Sequence, residues 1–166
     1  KSLDTILNSK SKIATIRLFV SKTADFKASG REIAKLIYIS APATHATLKE
    51  LYDQGILKLD ILGKQHIYSL ESNNRMVKEI LKPMFKKEIS VKDEIKNYLI
   101  GQIQEKRLKN KIASLILYGS LQRGQTNSKS DVDIAVIIKD KKSKEEVEDK
   151  FLNDISVNFR EYFNAH

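Results

Sequence analysis

Two small groups of residues in the C-terminal half carry the types and spacing that could do chemistry: Gly119-Ser120 and Asp131-x-Asp133, within LYGSLQRGQTNSKSDVDIAVII. A glycine that closes an apolar run of strand length suits a sharp turn whose backbone something else must approach. Backbone amides and the Ser120 hydroxyl can then face an anion. The following run, DVDIAVII, also has strand length, and alternation along a strand puts Asp131 and Asp133 on one face and Val132 on the other. Two carboxylates side by side repel, so leaving both ionised favours a cation between them. Ligands that are all oxygen select a hard ion such as Mg²⁺, which keeps waters and binds substrate phosphates.

Other elements must hold these strands in place. Upstream, Ile95, Leu99 and Ile103 recur every four residues, Ser90 is a candidate cap, and Asp93 and Glu94 fall in the first turn, where carboxylates suit the positive end of the helix dipole. Downstream, Val147, Phe151, Ile155, Phe159 and Phe163 also recur every four residues, which predicts one amphipathic helix to the chain end, with Asp154 and Glu161 on it and off the sheet. Before both, Val77, Ile80, Leu81 and Phe85 make an apolar stripe, Pro83 bends or starts a segment, and a domain boundary is expected near residues 74–90. This connector carries no chemistry.

The N-terminal half reads as helices followed by a hairpin. Ile13, Ile16 and Val20 predict a first helix capped by Ser11. Ser29 and Glu32 have capping-box spacing ahead of Ile33, Leu36 and Ile37, predicting a second. Ser40, Pro42, Leu48, Leu51 and Gly55 predict a third that begins at a serine cap and stops at a glycine. Two short helices joined by a tight turn form a helix-turn-helix, and ILKLDI and QHIYSL around Leu62-Gly63-Lys64 predict a hairpin after it.

Composition bounds what all this can do. A chain of 166 residues and 19.0 kDa holds one ordinary domain or two small ones, two being the expectation. It has no cysteine, which excludes thiol chemistry and thiolate metal sites and fits a reducing cytoplasm. None of the three histidines stands at metal-ligand spacing with another. No apolar run reaches membrane-spanning length and no signal pattern opens the chain, so a cytoplasmic protein without a membrane partner is expected. Residues 1–90 carry 16 Lys and Arg against 9 Asp and Glu, net +7, whereas residues 91–166 carry 14 against 12, net +2. A basic N-terminal half suggests a polyanionic partner.

Two resemblances follow from these residues. The stretch SGREIAKLIYISAPATHATLKELYDQGILKLDILGKQHIYSL resembles the winged helix-turn-helix of small transcription regulators. That resemblance implies duplex DNA as a partner, with Ala43, His45, Ala46 and Lys49 on the helix that enters the major groove and Lys58, Lys64 and His66 serving the wing. Where that family often has Arg or Gln near positions 45 and 46, this chain has His45 and Ala46, so at most one polar base contact is expected there. The second, GSLQRG followed by SDVDIAV, resembles the nucleotidyltransferase superfamily typified by DNA polymerase beta, most closely its minimal branch with the pattern G-S-x-x-x-G and S-D-x-D. It implies that Gly119, Ser120, Arg123, Gly124, Lys129 and Ser130 hold a nucleoside triphosphate and that Asp131 and Asp133 are the catalytic carboxylates holding Mg²⁺ or Mn²⁺. Active members of that superfamily supply a third carboxylate from the next strand. Either that strand lies beyond His166, or the site is incomplete.

The expected fold is therefore α+β, a winged helix-turn-helix domain at 1–75, a helical connector at 76–89, and a nucleotidyltransferase-like α/β domain with a small mixed sheet at 90–166. The expected function is transfer of a nucleoside monophosphate to an acceptor hydroxyl, the acceptor open among RNA, an aminoglycoside-like drug and a toxin-like partner protein. The alternative is a DNA-binding regulator whose second domain senses nucleotide or forms a homodimer.

Overall fold

A computed structural model describes residues 2–119 and 132–163, and the chain divides into two compact units, Lys1–Ile89 and Ser90–His166. The first runs α1 (Leu3–Ile6), α2 (Lys10–Ser21), β1 (Ala28–Ser29), α3 (Gly30–Ile37), α4 (Ala41–Asp53), β2 (Leu57–Leu62), β3 (Gln65–Leu70), a π-helical turn (Val77–Leu81) and α5 (Lys82–Ile89). This is the winged helix-turn-helix order, with a third strand added, since two-residue β1 pairs antiparallel with β3 to give the sheet order β1-β3-β2. Leu62 pairs with Gln65, leaving Gly63-Lys64 as the turn, and Gly63 at φ +60° supplies the left-handed residue that a tight hairpin needs.

The helix starts follow their caps. Ser29 and Glu32 form the expected capping box: Glu32 N–H donates to Ser29 Oγ (3.4 Å) and Ser29 N–H to Glu32 Oε2 (2.8 Å). At α2 the cap is Ser9, not Ser11. Ser9 is extended and its Oγ accepts from Lys12 N–H, whereas Ser11 is already inside the helix and hydrogen-bonds Thr47 Oγ1 of α4 at 2.7 Å. Ser40 stands at the N-cap of α4 with Pro42 in the first turn, but its side chain makes no capping bond.

Expected as a connector, residues 76–89 are built into this unit's core: Val77, Leu81 and Phe85 are buried in one cluster with Ile16, Ile33, Leu48 and Leu51. Their spacing of four residues makes a single apolar stripe, which must be covered. The π-helical turn stops just before Pro83, which has no N–H to donate to the preceding turn.

The second unit runs α6 (Val91–Glu105), β4 (Ile112–Tyr118), β5 (Asp133–Ile138), a 3₁₀ turn (Lys141–Ser143), α7 (Lys144–Asp149), a π-helical turn (Lys150–Ile155) and α8 (Ser156–Phe163). From Lys141 onward the chain is helical without a break to Phe163. The fourfold spacing pays out as packing: Ile95, Leu99, Ile103, Val147, Ile155 and Phe159 share one core with Leu108 and Ile112. Ser90 occupies the N-cap of α6, yet its own backbone is helical and its hydroxyl donates to Glu94 Oε1 at 2.7 Å instead of accepting from a backbone amide.

One strand expectation changes. Among the described residues both sheets are antiparallel, where a mixed sheet was expected. The helices cover one side of β4 and β5, and Ile116, Tyr118 and Ile137 are 45%, 50% and 46% exposed on the other. A hairpin-like antiparallel pair can leave one face open in this way, whereas a parallel pair flanked by crossovers cannot.

Candidate nucleotide and nucleic-acid sites

The register Tyr118↔Asp133 sets the geometry of the C-terminal site. Alternation turns Leu115, Leu117, Ile134, Val136 and Ile138 into the helical core, so Ser114, Ile116, Tyr118, Asp133, Ala135 and Ile137 share the open face. Asp133 begins β5 there, half-buried, at the edge where β4 ends. Gly119 follows β4 with φ +82°, and a Cβ built on it would overlap the Asp133 carboxylate and lie 3.1 Å from Asp133 Cγ. Glycine suits the left-handed backbone, and any side chain there would have to turn the Asp133 carboxylate aside.

A carboxylate held on an open sheet face, against a turn stripped of side chain, is a fitting donor for a hard divalent ion. Ser120, Arg123, Gly124, Lys129, Ser130 and Asp131 lie outside the described residues. Of the acids downstream, Asp154 is engaged by Lys106 Nζ at 2.8 Å, a bond that holds the ammonium above its ordinary pKa, and Glu161 is on α8, so both lie on helices. Two cavities flank the sheet. One, of about 510 Å³, lies between β5 and the C-terminal helix; the other, of about 730 Å³, lies between α6 and β4. Neither is lined by Gly119 or Asp133; their Leu, Ile, Val and Phe walls are joined by Lys144 and Arg160 in the first and by Lys92, Lys96 and Lys109 in the second.

In the first unit, α4 presents Ala43, His45, Ala46 and Lys49 at its surface and buries Thr44, Thr47, Leu48 and Leu51. His45 is less free than its spacing suggests. Its ring packs over the start of α3, so that a Cβ on Gly30 would lie 3.1 Å from His45 Cε1. The hairpin divides the three wing residues: Lys64 is in the turn, while Lys58, opposite Ser69, and His66, opposite Ile61, lie on opposite faces. They do not form one patch. Sequence reasoning passed over Arg31 and Lys35, both exposed one turn apart on α3, although their spacing of four residues placed them on one stripe. The orientation of α4 is fixed from below by Lys12, whose side chain is 4% exposed and whose Nζ lies 2.6 Å from Glu50 Oε2 of α4 and donates to Thr5 O at 2.9 Å.

Residues 94–162 match the family described as Polymerase beta, Nucleotidyltransferase. Comparison with curated proteins finds no match. Among solved structures, the chain is similar to the antimony-specific transcriptional repressor AntR, with 14% identity over 55% of this chain and 75% of that one and a TM-score of 0.43. It is similar to NadR in complex with 4-hydroxyphenylacetate, with 16% identity over 63% and 79% and a TM-score of 0.43. It is also similar to a homodimeric winged helix-turn-helix DNA-binding domain from Mycobacterium bovis, a possible ArsR-family transcriptional regulator, with 18% identity over 54% and 73% and a TM-score of 0.38.

Proposed function

We propose that the second unit binds a nucleoside triphosphate with Mg²⁺ or Mn²⁺ and transfers its nucleoside monophosphate to an acceptor hydroxyl, while the first unit binds duplex DNA. The observation that carries the first half is the Gly119–Asp133 cradle: a left-handed glycine whose missing side chain makes room for a carboxylate on an open sheet face, inside the segment that matches the nucleotidyltransferase family. Asp133, with Asp131, would hold the metal. When bound, that ion neutralises phosphate charge and fixes the phosphates for in-line displacement. Gly119 and Gly124 let phosphate approach the backbone, Ser120 and Ser130 donate to it, and Arg123 and Lys129 offset its charge. The chain's part is positioning and charge stabilisation.

DNA binding is supported by net +7 across residues 1–90 and by the winged helix that carries it. A second reading has its own observation. After β5 the chain enters a helix on which Asp154 is already bonded to Lys106, which favours a site that binds nucleotide without turning it over. Such a protein would be a cytoplasmic DNA-binding regulator that senses nucleotide or assembles as a homodimer or with a toxin-like partner.

Incubating the full chain with nucleoside triphosphates labelled at the α-phosphate, Mg²⁺, and RNA or partner protein separates the two. Label incorporated by the wild type and lost in Asp133→Asn supports transfer. Nucleotide binding without incorporation supports the sensor.

A further inference from the structure

Beside the DNA-facing helix stands a residue that the fold itself does not want. Tyr38 caps α3 in the left-handed conformation, φ 55° and ψ 40°. Its neighbour Ile39 N–H reaches back to Ala34 O at 3.1 Å, the six-to-one bond of a helix stop that needs a left-handed residue and ordinarily recruits glycine. The same bond closes α4, from Ile56 N–H to Leu51 O at 2.9 Å, and there the left-handed residue is Gly55. It closes α6 as well, from Leu108 N–H to Ile103 O, around Arg107 at φ 59°. Arg107 has a local reason to be there, since a cation suits the negative end of a helix dipole. Tyr38 has none: its side chain is 95% exposed, so its ring packs against nothing that would offset the strain.

Its position says what it could serve. Arg31, Lys35 and Tyr38 follow one another at intervals of four and three along α3, all exposed, and Tyr38 lies two residues before Ser40, the N-cap of α4. In a helix-turn-helix the first of the two helices crosses the phosphate backbone while the second enters the groove, and tyrosine hydroxyls are among the groups that donate to phosphate oxygens. Resting on the DNA-binding reading above, we infer that Tyr38 is a phosphate contact, its hydroxyl donating to a backbone oxygen of duplex DNA beside the cations of Arg31 and Lys35. The left-handed strain is retained because the ring is held where the duplex backbone passes.

The test uses the full chain and a mixed-sequence DNA duplex across a salt series. Tyr38→Phe removes only the hydroxyl and should weaken binding about tenfold with an unchanged salt slope, because no cation is lost. Lys35→Ala should instead lower that slope by about one. Tyr38→Gly should melt no lower than the wild type, since it relieves the strained φ, while also losing DNA affinity. The contact is overturned if Tyr38→Phe binds as tightly as the wild type, if Tyr38→Gly lowers the melting temperature, or if Tyr38→Gly changes the oligomeric state and leaves DNA affinity untouched. A wild-type chain that retains no duplex at low salt sinks the DNA-binding reading itself, and the contact with it.

Discussion

At the scale of single residues, the pairing of Gly119 with Asp133 makes an additive expectation fail in a stated way. Gly119→Ala carries a left-handed cost of about 1–2 kcal/mol and, beyond it, the overlap of the new Cβ with the Asp133 carboxylate. Asp133→Ala removes the carboxylate and leaves only its Cβ, 3.4 Å from the new atom, an ordinary contact. In the double variant Gly119→Ala should therefore cost only the backbone part, and urea melts of the four proteins of the cycle would measure the difference. Additive costs would mean that the Asp133 carboxylate turns aside freely. The glycine and the carboxylate were both legible in the sequence, because a glycine ending an apolar run and an acid opening the next are local signals. Their contact was not, since register decides it. His45 shows the opposite failure: its spacing on α4 is right for a groove, but Gly30 leaves a gap on α3 that the imidazole covers. Tyr38 escaped notice because helix-stop rules look for glycine or asparagine, and a tyrosine in that conformation leaves no signature in the chain.

At the scale of elements, the capping box is the clearest case of sequence dictating structure. Ser29→Ala should cost about 1 kcal/mol and lower the melting temperature of the first unit. The Ser29 backbone amide and hydroxyl hold the Glu32 carboxyl below its ordinary pKa. A carboxyl lowered in the folded state contributes stability above the ordinary carboxylate range and loses it as the pH falls through the lowered folded value. Wild type should thus lose more stability than Glu32→Gln between about pH 7 and about pH 3 in circular-dichroism melts. An equal loss in both proteins would mean that the box does not operate. Lys12 and Glu50 give a second test of how α4 is held. Glu50→Ala leaves a buried ammonium with only Thr5 O and should cost about 1–3 kcal/mol, whereas Lys12→Met should be nearly neutral. The long elements were readable because fourfold apolar spacing persists across them. Strand β1, two residues long, was not, because nothing so short carries a period and its pairing with Ile67 and Tyr68 is tertiary.

At the scale of the whole molecule there are two units with two separate cores, with excess positive charge on the first and the Asp131-x-Asp133 pair in the second. Since every buried residue of the first cluster lies at or before Phe85, a 1–89 fragment should fold alone and retain the full chain's salt-dependent DNA affinity. Its failure to fold, seen as a lost cooperative melt, would contradict the division. The division between the two halves was visible in charge and periodicity, and the second unit begins at Ser90 within the expected range, while the stripe at 77–85, read as a connector, belongs to the first core. The central claim is that the open sheet face binds nucleotide through a metal held at Asp133. It is tested most directly by calorimetric titration of the full chain with each of the four ribonucleoside triphosphates, with and without Mg²⁺, in the wild type, Asp133→Asn and Gly119→Val. The account predicts wild-type binding only with Mg²⁺, and its sharp loss in both variants. Metal-independent binding, or equal binding by wild type and Asp133→Asn, would contradict it.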